Sequence, residues 1–113
     1  LGSSSFPNTD GKILFLEDLD EYLYHIDRMM MAFKRAGKLD NTKGLIVGAL
    51  TTMHDNTIPF GKDAEHIIFE YVKDKGIPVC FNFPAGHIDD NRSLIFGRKT
   101  KLKIEETSIV EMY

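Results

Sequence analysis

The sequence KILFLED, residues 12–18, places four consecutive large apolar residues directly before two carboxylates. The run from Ile13 to Leu16 does not alternate with polar residues. This pattern is typical of a strand that is buried on both faces, in the middle of a sheet that helices cover. We therefore predict a central strand of an α/β domain here.

The two acids that follow this strand, Glu17 and Asp18, allow two interpretations. Sites of α/β proteins usually lie at the carboxyl edge of the sheet, which is where a carboxylate ending the strand would be placed. The same acids also suit the first turn of a following helix, because negative charge is favourable there. This stretch alone leaves both interpretations open.

The pattern after the strand predicts a helix. Asp18 and Glu21 have the spacing of a capping box, so we predict that the helix begins at Asp18. Apolar residues then recur at helical spacing until Gly37, which is a natural left-handed terminator.

The same alternation continues along the chain. A second apolar run covers residues 44–50, a second helical pattern residues 62–75 and a third apolar run residues 77–83. Residues 93–113 then carry apolar residues two positions apart, which is the spacing of strands with one buried face. These pairs are Leu94 and Phe96, Leu102 and Ile104, and Val110 and Met112. The predicted fold is a small α/β domain with a βαβαβ core and C-terminal antiparallel strands.

Composition limits the class of protein. The 113 residues, 42% of them hydrophobic, suffice for one domain with a single core. The net charge is −3 and the basic residues are scattered, which argues against nucleic acid or an anionic membrane as a partner. The only cysteine, Cys80, lies in an apolar segment, so we expect it in the core. The chain begins at Leu1 within a small-residue connection, from which we expect residues 1–11 to be a linker in a longer polypeptide.

A candidate site follows from the parallel arrangement. If the three apolar runs are neighbouring parallel strands, Glu17, the 51–61 loop and His87 all emerge at one edge of the sheet. A carboxylate that pairs with an imidazole orients the ring and stabilises its protonated form, as a general base requires. Gly86 would let the backbone approach a ligand closely.

The residues do not supply the rest of a catalytic site. The serines lie in the linker or among the C-terminal strands, and Cys80 is expected to be buried, so no nucleophile is evident. Metal binding is the alternative, with His87 beside Asp89 and Asp90 or with His54 beside its neighbouring acid. Neither group has the spacing of a recognisable ligand set, so we predict no metal and no other cofactor.

Four segments in this order resemble the C-terminal domain of the LD-carboxypeptidases, serine peptidases that include the murein tetrapeptide carboxypeptidases and the microcin-immunity peptidases. They are GKILFLED at 11–18, YHIDRM at 24–29, GLIVG at 44–48 and FPAGH at 83–87. The resemblance implies a domain of the swivelling β/β/α type over residues 12–113, preceded by an N-terminal domain that carries the nucleophilic serine. It also implies that Glu17 is the acid and His87 the base of a Ser-Glu-His triad.

The family further implies a substrate and a setting. The reaction would remove the terminal D-alanine of a murein tetrapeptide during cell-wall recycling, which implies a cytoplasmic location. The partners would be the murein peptide and the protein's own N-terminal domain, and a homodimer stays open because the family is commonly dimeric. The 113 residues alone would be inactive, and no substrate-binding residue is identified, although the 51–61 loop and residues 88–91 are conjectured to shape the cleft. The alternatives are a non-catalytic binding module and a microcin-immunity-type peptidase.

Overall fold

Three parallel strands alternate with two helices in the computed structural model, which describes residues 1–113, and an antiparallel strand pair follows them. The elements are β1 (Ile13–Leu19), α1 (Leu23–Arg35), β2 (Gly44–Thr51), α2 (Ala64–Glu70), β3 (Val79–Cys80), β4 (Thr100–Lys103) and β5 (Ile109–Met112). This order confirms the predicted α/β fold class. Neither helix has the length and apolarity needed to cross a membrane.

The parallel sheet has the strand order β1-β2-β3, so β2 is its central strand. Gly44 to Ala49 of β2 are all buried, whereas Ile13 to Asp18 of β1 are only half-buried. The prediction that the KILFLED run forms a central strand was therefore wrong. The strand lies at the edge of the sheet and is apolar because both of its faces are covered.

Each face of the sheet packs against a different layer. Leu14 and Leu16 of β1 pack with the helices against the main core. The buried residues of this core are Ile26, Met30, Leu39, Leu45, Val47, Ile67, Ile68 and Val72. On the other face, the Phe15 ring lies 5.9 Å from the Phe96 ring, and the β4–β5 pair leaves a cleft of about 450 Å³ against the sheet.

The first helix begins later than the capping-box spacing predicted. Asp18 belongs to β1 and pairs with Leu50, and the Asp20 amide donates to the Thr51 carbonyl at 3.1 Å. The N-cap of α1 is Tyr22, which makes no side-chain capping bond. The prediction of a start at Asp18 was wrong because the ladder with β2 occupies the backbone there. The predicted end at Gly37 is confirmed, since this glycine follows the C-cap with φ of +68°.

Two other elements are shorter than the sequence patterns predicted, and one predicted strand does not form. The second helix covers Ala64–Glu70 and is followed by a 3-10 turn at Lys73–Lys75, after which Gly76 is left-handed. The third strand is confined to Val79–Cys80, because Asn82 with φ of +53° interrupts the extended backbone, although the Phe83 amide still bonds to β2. Residues 94–96 form no strand, and the Ile95 amide faces the Met112 sulfur at 3.3 Å.

The N-terminal segment, residues 1–11, contains turns and no helix or strand. It nevertheless packs on the domain. Thr9 is buried and its hydroxyl donates to the Lys38 carbonyl at 2.7 Å. The Phe6 ring lies 6.0 Å from the Phe33 ring of α1.

Replacing Tyr71 with phenylalanine should remove a hydrogen bond between the two helices and lower the stability of the domain. The Tyr71 hydroxyl donates to Asp27 Oδ1 at 2.7 Å and so joins the end of α2 to α1. Burial and this hydrogen bond raise the pKa of Tyr71 to about 12. We expect the variant to lose about 1–2 kcal/mol of unfolding free energy in denaturant titrations at neutral pH.

The pH dependence has a definite sign. Because the folded pKa of Tyr71 is raised, its contribution is complete below about pH 10 and is lost as the pH rises through 12. The control is Tyr113→Phe, since Tyr113 is exposed and makes the same kind of bond to Glu111 at 2.9 Å. If both variants lose the same unfolding free energy, the hydrogen bond between the helices stabilises the domain no more than the exposed one at Tyr113.

Candidate active site

Glu17 lies near the carboxyl end of β1, beside an irregularity in the sheet. Leu16 pairs with Val47, but Asp18 pairs with Leu50, so two residues of β2 oppose Glu17 alone. Such bulges re-aim side chains and are common next to active sites. The Glu17 side chain is 21% exposed, which leaves its carboxylate reachable at the sheet edge.

His87 reaches Glu17 by a path that crosses the central strand. After β3, the Phe83 amide donates to the Val47 carbonyl at 3.0 Å, and the Ala49 amide donates to the Ala85 carbonyl at 2.9 Å. At Gly48 a Cβ atom would lie 2.6 Å from the Ala85 carbonyl oxygen. A glycine at this position of β2 therefore allows the chain to pass over the strand.

The crossing brings Glu17 and His87 together. His87 Nδ1 lies 2.9 Å from Glu17 Oε1. Gly86, the residue before His87, has φ of +132°, and a Cβ atom there would lie 2.7 Å from the same carboxylate oxygen. The pair thus depends on a backbone that lies directly against the Glu17 side chain.

The orientation of the imidazole suits proton transfer. One ring nitrogen of His87 is on the carboxylate, the other makes no hydrogen bond within the chain, and the side chain is 62% exposed. A carboxylate on Nδ1 favours the tautomer whose Nε2 accepts a proton and stabilises the charged ring that results. The geometry is that of a general base that faces outward.

No nucleophile accompanies the pair within the 113 residues. Ser3 and Ser5 bond to each other in the N-terminal segment, and Ser93 and Ser108 are exposed. Cys80 is buried in β3, as predicted from its apolar segment. None of these side chains forms a hydrogen bond with His87.

Most of the side chains that suggested a metal site are engaged with other partners. His54 Nε2 lies 2.5 Å from Asp20, whereas Asp55 accepts the Phe60 amide at 3.0 Å. Asp90 pairs with Arg92, whose hydrogen bond lowers the pKa of that carboxyl. No group of three or more histidine, cysteine or acidic side chains converges anywhere in the chain.

The 51–61 loop places a second set of polar side chains at the carboxyl edge of the sheet. His54 forms a parallel bridge with Tyr22, and their rings lie 5.4 Å apart. The His25 ring lies 6.1 Å from the Tyr22 ring, and its Nδ1 is 2.5 Å from Glu21. Glu21, predicted to cap the helix, therefore pairs with a histidine instead.

Asn91 belongs to residues 88–91, which were conjectured to shape the cleft, but its contact with the loop backbone was not predicted. Asn91 Oδ1 accepts the Gly86 amide at 3.1 Å, on the backbone just before His87. The only sequence signal for this contact is that asparagine in a polar loop often bonds nearby backbone.

Comparisons of the sequence and of the structure with known proteins point to the same family. A family model described as the LD-carboxypeptidase C-terminal domain matches residues 1–102. A probable murein peptide carboxypeptidase of Bacillus subtilis is 32% identical over 116 residues, covering 98% of this chain and 35% of the relative. The structure of a muramoyltetrapeptide carboxypeptidase from Oxalobacter formigenes has a TM-score of 0.78 at 28% identity, covering 92% of this chain and 36% of that one.

A more distant likeness concerns the fold alone. A microcin self-immunity protein has a TM-score of 0.60 at 22% identity, covering 70% of this chain and 23% of its own. The chain spans about a third of the length of the two carboxypeptidases, at 35% and 36%.

Proposed function

This chain belongs to the LD-carboxypeptidase C-terminal domain family, and on that premise we propose that it supplies the acid and the base of a serine carboxypeptidase. His87 is the general base and Glu17 is the acid that orients it. The observation that carries the proposal is the 2.9 Å contact between His87 Nδ1 and Glu17 Oε1 at the carboxyl edge of the parallel sheet.

The chemistry divides between this domain and another. A serine on the protein's own N-terminal domain attacks the scissile carbonyl, and His87 Nε2 takes the proton of the serine hydroxyl. The same nitrogen then gives that proton to the leaving amine, while Glu17 stabilises the charged ring. Backbone amides of the N-terminal domain hold the oxyanion. The 113 residues alone therefore turn over no substrate, because the nucleophile lies outside them.

The substrate we propose is a murein tetrapeptide, from which the enzyme removes the terminal D-alanine in cell-wall recycling. The names of the Bacillus and Oxalobacter proteins support this choice, since both refer to murein peptides. A role in recycling implies a cytoplasmic location. We leave open that the protein forms a homodimer there. We propose that the 51–61 loop and residues 88–91 shape part of the cleft.

Two other functions compete with this one. One is a microcin-immunity-type peptidase, which would act on acylated nucleotides and whose fold this domain shares. A binding module, which keeps the edge site without chemistry, would have the same domain attached to a partner domain that lacks the serine.

Incubating the intact protein with a murein tetrapeptide and with an aminoacyl sulfamoyl nucleotide separates these functions. We expect mass spectrometry to detect release of D-alanine from the tetrapeptide and no cleavage of the nucleotide analogue. The matched control is a tetrapeptide with terminal L-alanine, which should remain intact. Cleavage of the nucleotide alone would establish the immunity-type activity, and binding of the tetrapeptide without release of D-alanine would establish the binding module.

A further inference from the structure

The loop that carries His87, residues 84–92, is closed on itself. The Arg92 amide donates to the Pro84 carbonyl at 2.6 Å, and the Asn91 amide donates to the Asp89 carbonyl at 3.0 Å. The Asn91 side chain reaches back across the loop to the Gly86 amide at 3.1 Å. One side-chain oxygen thus holds the backbone immediately before the histidine.

The peptide group between Ala85 and Gly86 is anchored at both ends. Its carbonyl oxygen accepts the Ala49 amide of β2 at 2.9 Å, and its N–H donates to Asn91 Oδ1 at 3.1 Å. Because a peptide group is planar, two bonds on opposite sides fix its rotation about the chain. The orientation of this plane sets the direction in which Gly86 leads the chain to His87.

The histidine has few other constraints. Its side chain is 62% exposed, so packing does not fix the ring. The residue before it is a glycine with φ of +132°, and glycine has the largest conformational freedom of any residue. Without the Asn91 bond, the plane would be held on one side only, and His87 would no longer be confined to hydrogen-bond distance of Glu17.

We propose that Asn91 is a positioning residue that holds His87 against Glu17 by accepting the Gly86 amide. The inference rests on the proposed function, because the group that Asn91 positions is the base of the triad. It assigns to Asn91 no contact with the substrate. Its effect is therefore expected on the chemical step and not on substrate binding.

Three variants of the intact protein test the role of this acceptor. Asn91→Ala removes the oxygen, and Asn91→Asp keeps an oxygen at the same position. Asn8→Ala is the matched control, because Asn8 Oδ1 also accepts a backbone amide, that of Asp10 at 3.0 Å, in an exposed turn before the start of β1. The readouts are kcat and KM for release of D-alanine from a murein tetrapeptide.

We expect Asn91→Ala to lower kcat by about tenfold or more, because small misplacements of a catalytic group reduce turnover steeply, and to change KM by less than about twofold. Asn91→Asp should stay within about threefold of the unaltered kcat, since the acceptor is retained. Asn8→Ala should leave both constants unchanged.

Three results would overturn the proposal. They are a normal kcat in Asn91→Ala, an equal loss in Asn91→Asp, and an equal loss in Asn8→Ala, which would reflect general destabilisation. His87→Ala distinguishes the two levels of inference. If it abolishes turnover while Asn91→Ala does not affect it, only the role of Asn91 fails. If His87→Ala itself is fully active, the proposed function fails with it.

Discussion

Replacing His87 with alanine in the intact protein is expected to lower kcat for release of D-alanine by at least about a thousandfold, with a much smaller change in KM. In the proposed mechanism the imidazole, which lies 2.9 Å from the Glu17 carboxylate, takes the serine proton, so its removal would leave the hydroxyl without a base. Activity that remains would come from substrate binding and oxyanion stabilisation on the other domain.

Glu17→Gln tests the other half of the pair. The amide keeps the size of the side chain but presents no negative charge to His87 Nδ1, at the 2.9 Å contact. The ring then loses the preference for the productive tautomer and the stabilisation of its charged form. We expect a loss of about a thousandfold to ten-thousandfold in kcat, and Glu17→Ala should be at least as severe.

The double variant and a remote histidine complete this test. Since the two residues act as a unit, Glu17→Gln combined with His87→Ala should cost about as much as His87→Ala alone. His66→Ala is the matched control, because His66 also pairs with a carboxylate, Asp63 at 3.1 Å, and is exposed at the start of α2. Near-normal turnover in either single variant of the pair would contradict the triad assignment.

The order of the elements was predictable because burial in a covered sheet demands apolar runs, and helices between them demand a helical period. Whether a strand lies in the centre or at the edge of the sheet was not predictable. An edge strand with both faces covered needs the same residues as a central one, so KILFLED predicted a central strand where β1 lies at the edge. The two cases differ in pairing, since β1 pairs with β2 alone, and in the half-burial of Ile13 to Asp18.

The start of the first helix shows a second limit. A capping box contributes about 1 kcal/mol locally, and its spacing is visible in Asp18 and Glu21. The backbone of Asp18 pairs instead with β2 through a partner 32 residues away, which no local pattern reports. Tertiary pairing therefore moved the helix start to Leu23.

The site was predictable to the extent that topology determines it. Parallel strands end at one edge, so Glu17 and His87 were expected close together although 70 positions separate them. The path that joins them was not predictable. It depends on the loop crossing β2 at Gly48 and on the Asn91 side chain, and both contacts exist only once the strands are assembled.

The close approach of Gly86 to Glu17 leads to the second large effect. In Gly86→Ala the added methyl group would lie 2.7 Å from Glu17 Oε1 and 2.8 Å from its Cγ, distances that real Cβ atoms essentially never show. The φ of +132° is also unfavourable for any residue with a side chain. The loop or the carboxylate must therefore move, and either movement separates His87 from Glu17. We expect kcat to fall by at least about a hundredfold.

A glycine elsewhere distinguishes a local effect on the site from a loss of stability. Gly76 also has a positive φ, +65°, but a Cβ atom there would meet nothing within 4 Å. Gly76→Ala should cost stability on the order of 1 kcal/mol, visible in denaturant titrations, and leave kcat unchanged. A folded Gly86→Ala protein with normal kcat would show that the pair does not depend on the bare backbone at this position. Loss of turnover with a melting temperature close to that of Gly76→Ala would trace the effect to a local displacement at the Glu17–His87 pair and not to unfolding of the domain.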